Sequence, residues 1–244
     1  MLDAEAPPAE PGERFDLLFP RSRCPHCGHA ISAAENIPVL SWLLLRGRCR
    51  GCGERISLRY PIVELASGLL AALVAWRFGV TAEGAAAMGL VWTLLVLTLI
   101  DIDHQLLPDS ITLPLLWAGL LLRLLGIGEV SLVDAVIGAM AGYLSLWSLF
   151  HLFRLLTGKE GMGYGDFKLL AALGAWMGWQ SLLPIVLLSS LVGAVTGIAL
   201  IVVAGRDRSI PIPYGPYLAG AGLIYLLWGE TIIGTYQRWA GLGL

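Results

Sequence analysis

From Pro61 onward the chain is a succession of apolar runs, each close to 20 residues, separated by short polar breaks. A helix that crosses a bilayer needs about 20 mostly apolar residues, with a range of roughly 17–25. In lipid the backbone must satisfy its own polar groups, and a helix does so within one segment. The pattern therefore predicts an all-α, polytopic membrane protein with about seven transmembrane helices. They cover about 61–79, 84–107, 110–127, 130–153, 166–181, 182–204 and 215–236. The fifth and sixth are separated only by Gln180, Ser181 and Pro184. Composition agrees: 57% of residues are hydrophobic and 14% charged, against about 45–50% and about 25% in soluble domains. Gly138, Ala141, Gly142, Ser145, Gly193 and Gly197 mark places where helices can approach closely.

Three regions are expected. Residues 1–23 read as a polar tail, whose Pro7, Pro8 and Pro11 and several acids leave no apolar core for a cleavable leader. Residues 24–60 hold all four cysteines and five arginines, and form a small cytoplasmic metal-binding domain. Residues 61–244 form the transmembrane domain. With the cysteine segment inside, thirteen lysines and arginines fall on the cytoplasmic side and three outside, as the positive-inside rule requires. A net charge of −2 speaks against a nucleic-acid partner.

Cys24-Pro25-His26-Cys27 and Cys49-Arg50-Gly51-Cys52 are two CxxC knuckles with 21 residues between them. Cys24, Cys27, Cys49 and Cys52 suit a tetrahedral, structural zinc site with four thiolate ligands. His26 and His29 are then bystanders. Two disulfides are the alternative, disfavoured in the cytoplasm; rubredoxin-like iron is another.

Ionisable residues at the edge of a membrane span are costly and point to function. Asp101 and Asp103 end one apolar run, and Gly163-Tyr164-Gly165-Asp166 opens another. The orientation model puts Asp101 and Asp166 at the same face. The 17 residues from 84 to 100 rise about 25 Å as a helix, so Asp101 stands near the cytoplasmic boundary. Two carboxylates around one water, one ionised and one protonated, are the machinery of an aspartyl protease. Gly163 and Gly165 are expected to turn the backbone tightly beside Asp166 and leave room for a peptide. The bland reading of Asp166 is an acid stabilising the first turn of a helix. At about 100° per residue, Asp103 points away from Asp101, and Asp109 is placed in a loop.

The chain resembles the type IV prepilin leader peptidases, or prepilin peptidase/N-methyltransferases, over nearly all of residues 14–237. The resemblance rests on C-P-H-C-G at 24–28, C-R-G-C-G at 49–53, R-Y-P-I-V-E-L at 59–65, D-I-D-H-Q-L-L-P-D at 101–109, G-K-E-G-M-G-Y-G-D-F-K-L-L at 158–170 and P-I-P-Y-G-P at 211–216. It implies a multi-pass enzyme of the bacterial inner membrane, with its zinc domain and active site facing the cytoplasm. The GxGD-type site would use Asp101 and Asp166 to cut the basic leader from type IV prepilins or type II secretion pseudopilins. The four-cysteine form is associated with methylation of the new N-terminal amine by S-adenosylmethionine, whose site the sequence does not place. The family pattern has eight spans, the first ending in an F-L-N-V-V-I-x-R-L-P-like motif before the cysteines, against the seven counted here.

Other readings of the same residues are a proton-coupled transporter, for which no inverted repeat is evident, and a non-catalytic, zinc-anchored membrane scaffold. Gly161 to Gly165 superficially resembles a nucleotide loop but follows no strand. Glu64 is expected to pair with an arginine or to belong to the methyl-transfer site. Asp103, Asp109 and Glu160 are expected to attract the basic leader.

Overall fold

The structure, a computed structural model, describes residues 22–159, 161–203, 205, 207 and 211–239. The tail expected over 1–23 and Glu160 lie largely or wholly outside those residues. Two compact units divide the chain, residues 1–70 and 71–244.

In the first unit a short helix, α1 (Leu40–Leu44), follows the first knuckle, and α2 (Arg59–Phe78) begins after the second and runs across the unit boundary. Val39, just before α1, has φ 60, an unusual conformation for a β-branched residue. Its N–H donates to Glu64 Oε2 at 2.8 Å. Glu64 thus pins the entry to α1, a role that the sequence reading did not foresee.

The second unit continues with α3 (Ala82–His104), α4 (Asp109–Leu124), α5 (Leu132–Thr157), α6 (Tyr164–Met177), α7 (Leu182–Val202) and α8 (Gly215–Trp239). Seven helices thus stand where seven apolar runs were read. Among the described residues, five are long and apolar enough to cross a membrane: α2, α3, α5, α8, and α7 with the 3-10 turn before it. The chain is a multi-pass membrane protein. The remaining two, α4 and α6, have 16 and 14 residues and are shorter than these five. Gly178, at φ 78, ends α6 before the turn Trp179–Ser181 starts the approach to α7.

Protein encloses α6 along most of its length. Asp166, Phe167 and every residue from Leu169 to Met177 are buried, so α6 is the core that the other helices wrap. Helix α5 approaches it through glycine: a Cβ on Gly174 would run into the carbonyl of Gly138, and one on Gly142 would lie 2.7 Å from the Leu170 carbonyl oxygen. Such small-residue contacts let helix backbones touch in lipid. Trp176 reaches from α6 into α4, with Nε1 donating to the Leu115 carbonyl at 2.8 Å. Toward the outside the preference reverses. Leu191, Val195, Ile198 and Val202 on α7 are all more than 60% exposed, the face a helix offers to acyl chains.

Candidate active site and metal centre

Each cysteine knuckle closes on itself. In the first, Gly28 N–H donates to the Cys24 carbonyl and Cys24 N–H to that of His29; in the second, Gly53 pairs with Cys49, and Cys49 with Glu54, in the same way. Gly28 and Gly53 have φ +70 and +72, the left-handed region that glycine enters freely. The two copies bring their sulfurs together, with all four Sγ atoms within 4.8 Å of one another. Cys24 and Cys52 Sγ are 3.9 Å apart, and Cys27 and Cys49 Sγ are 4.0 Å apart. A disulfide requires about 2.05 Å. A tetrahedral ion with metal–sulfur bonds of about 2.3 Å holds its sulfurs about 3.8 Å apart, so the cluster fits a metal ion.

Its electrostatics fit as well. The backbone N–H groups of Cys27 and then His26 draw the Cys24 thiol down to about 7. Cys52 accepts from Glu54 N–H, yet burial and the three neighbouring thiols push it up to about 12. Four thiolates this close need a cation between them. His29 contacts Glu35, Nε2 to Oε1 at 3.4 Å. Glu35 also accepts from Ser32 N–H and Oγ, both at 2.8 Å.

The second site is assembled from distant segments. Among the described residues, Asp101 and Asp166 are the only buried carboxylates, at 5% and 7% exposure. Asp101 stands one turn from the end of α3. Its Oδ2 accepts the N–H of Gly215, the first residue of α8, at 2.9 Å. The first N–H groups of a helix have no partner within it, and here one of them is spent on Asp101. Asp166 is the third residue of α6, and a Cβ on Gly163, the residue before that helix, would lie 3.8 Å from its Oδ2. Asp101 is therefore held by a glycine N–H at the start of one helix, and Asp166 lies in the first turn of another, where the helix dipole suits negative charge.

Leu107 joins the two halves. A Cβ on Gly165 would lie 2.7 Å from Leu107 Cβ, and one on Gly215 would lie 2.6 Å from Asp101 Oδ2 and 3.2 Å from Leu107 Cδ1. Asp101, through Gly215, and Asp166, through Gly165, thus border the same leucine. Gly163 has φ −82, and neither it nor Gly165 is among the glycines with positive φ. What Gly165 supplies is closeness, since α6 touches Leu107 with no room for a side chain.

The flanking acids separate from this pair. Asp103 is exposed. Asp109 opens α4 instead of lying in a loop, and both its oxygens accept from Lys168 Nζ at 2.6 and 2.7 Å. The sequence reading gave no role to Leu107, Gly215 or Lys168. A signal for Gly215 was present in Pro-Tyr-Gly-Pro at 213–216, since glycine between prolines marks a backbone with special demands. Tyr214 and Met162, each next to a glycine of the site, also wall a largely apolar cleft of about 310 Å³.

Comparison with known proteins follows the same division. A model of the type IV leader peptidase family matches residues 88–198, which include Asp101 and Asp166, and one of the bacterial peptidase A24 N-terminal domain matches residues 8–78, which include the cysteines. A prepilin leader peptidase/N-methyltransferase of Aeromonas salmonicida (strain A449) is 61% identical over 235 residues, covering 96% of this chain and 80% of its own length. That of Aeromonas hydrophila is 64% identical over 222 residues, with coverages of 91% and 76%. That of Pseudomonas aeruginosa is 56% identical over 227 residues, with coverages of 93% and 78%. No solved structure matches the chain.

Proposed function

The chain belongs to the type IV leader peptidase family, and we propose that it removes the leader of type IV prepilins or pseudopilins by water attack between Asp101 and Asp166. Membership of a peptidase family makes the chain an enzyme and sets aside the transporter and the scaffold. The observation that carries the mechanism is the burial of two carboxylates, and no others among the described residues, with Leu107 linking their segments. Burying a lone carboxylate is costly. Burying two within reach of each other leads them to share a proton, so that one is ionised and the other protonated. The ionised carboxylate takes a proton from water, and the oxygen attacks the scissile carbonyl carbon. The protonated one gives its proton to the carbonyl oxygen. Collapse of the tetrahedral intermediate breaks the C–N bond, and the leaving amine takes up a proton.

That new amine is the acceptor for the second activity, methyl transfer from S-adenosylmethionine. The names of the relatives support it, and its site stays unassigned. The metal is zinc in a structural role, because four thiolates fill a tetrahedral sphere and leave no position for a substrate. In the seven-span arrangement the excess of lysine and arginine on one side supports a cytoplasmic placement of both sites in a bacterial inner membrane.

The test uses the full chain in lipid vesicles with a prepilin and isotopically labelled S-adenosylmethionine, read by mass spectrometry. Loss of the leader, followed by label on the new N-terminus, is expected. A prepilin left intact under conditions where it binds would overturn the proposal.

A further inference from the structure

We infer that Ser189 and Tyr214 are positioning residues for Asp101, acting through the backbone N–H of Gly215. The inference rests on the reading of Asp101 as half of the water-activating pair. It begins with a polar residue in an apolar place. Ser189 lies on α7, whose sequence is otherwise almost wholly apolar, and is 1% exposed. A buried hydroxyl is costly unless it is hydrogen-bonded. Ser189 Oγ donates to the Val186 carbonyl at 3.1 Å and lies 2.7 Å from Tyr214 Oη. With its own proton spent on Val186, Ser189 receives the phenol proton. Ser190 Oγ is the second neighbour of that phenol, at 3.1 Å.

Tyr214 and Gly215 share one peptide bond, which is planar, so its C=O and N–H turn together. The Tyr214 carbonyl accepts from Tyr217 N at 3.1 Å and Leu218 N at 3.2 Å, starting α8. The N–H of Gly215, on the opposite side of that plane, points to Asp101 Oδ2. Gln105, just past the end of α3, steadies the same segment, with Nε2 donating to the Pro211 carbonyl at 3.1 Å. One peptide plane is thus fixed by α8 through its carbonyl and by α7 through the phenol, and its free N–H is aimed at the carboxylate. Tyr214 touches neither aspartate in this arrangement; it sets the direction of the group that does. Tyr214 and Gly215 both lie beyond residues 88–198, the stretch matched by the family model.

The test measures steady-state prepilin cleavage by the full chain in lipid. Tyr214→Phe removes one oxygen and keeps the ring. A loss in kcat of between about 10- and 100-fold is expected, in line with the cost of a misplaced catalytic group. KM should stay within about twofold, because the lesion is in orientation and not in uniform binding. The acid limb of the pH–rate profile should also move, which general loosening of the fold would not produce. Ser189→Ala with Ser190→Ala should reproduce Tyr214→Phe, and the triple variant should lose no more, because the three hydroxyls act as one unit. Wild-type kcat in Tyr214→Phe, losses that multiply in the triple variant, or a loss carried by KM would each overturn the inference. If Tyr214→Phe does not fold, Ser189→Ala alone carries the same test. Asp101→Asn separates the two readings. Cleavage by that variant sinks the aspartate pair itself, whereas an inactive Asp101→Asn beside a fully active Tyr214→Phe sinks only the positioning role.

Discussion

The metal cluster and the carboxylate pair solve opposite problems. The cluster gathers four anionic ligands near water from two copies of one short loop, each closed by hydrogen bonds spanning five residues or fewer. The pair gathers two buried acids from separate helices, and one of them takes the N–H of a glycine 114 positions further along the chain. Local closure makes the cluster depend on its ligands and its ion. Long-range closure makes the pair depend on helix contacts, above all where Gly165 and Gly215 meet Leu107 and Asp101. An ion can neutralise the first site; the second has to share a proton, and that constraint is what turns it toward chemistry.

The contrast can be broken at four points. The largest effect is expected from Asp101→Asn or Asp166→Asn, each lowering prepilin cleavage by about 10³-fold or more while prepilin binding persists; cleavage near the wild-type rate in either would end the comparison. Next is metal removal. Chelation should release about one metal ion per chain and abolish amide-exchange protection in residues 22–58, because ligand binding and folding are one process in such small domains. Exchange unchanged after the metal has left would show that the knuckles fold without it.

Gly215→Ala probes long-range closure. The added methyl would fall 2.6 Å from Asp101 Oδ2, whereas Gly220, on the same helix, has nothing within 4 Å. Cleavage should fall by about 100-fold in the first and hardly change in Gly220→Ala. Equal rates in the two would show that Asp101 has no need of this contact. The smallest effect concerns Glu35, whose carboxyl the Ser32 N–H, then the Ser32 hydroxyl, hold at about 2 against an ordinary 4.5. A carboxyl held low contributes stability above its ordinary value and loses it as pH falls through the folded value. The stability difference between wild type and Glu35→Gln should therefore be full at pH 6, shrink below 4.5 and vanish near 2. A difference independent of pH would assign the effect to packing.

Legibility followed the same line. The cysteine site could be read as spacing because all its ligands, turns and glycines repeat within one short segment. The helices could be read because apolar runs report a lipid environment directly. That protein encloses α6 could not be read, since lipid and protein neighbours favour the same residues. Asp101 and Asp166 stood out as acids at helix ends, but their clasps did not. Leu107 looks like any leucine, and Gly215 depends on a contact with a residue 114 positions away. Nor could the meeting of Asp109 with Lys168 be read, a pairing that only the packing of α4 on α6 creates.

The central claim is that Asp101 and Asp166 act as one unit around one water. Single-turnover cleavage of a prepilin by Asp101→Asn, Asp166→Asn and the double variant tests it most directly. The account predicts that the double variant is no slower than the slower single, because either change already removes the unit. Two separate losses that multiply in the double variant would contradict it.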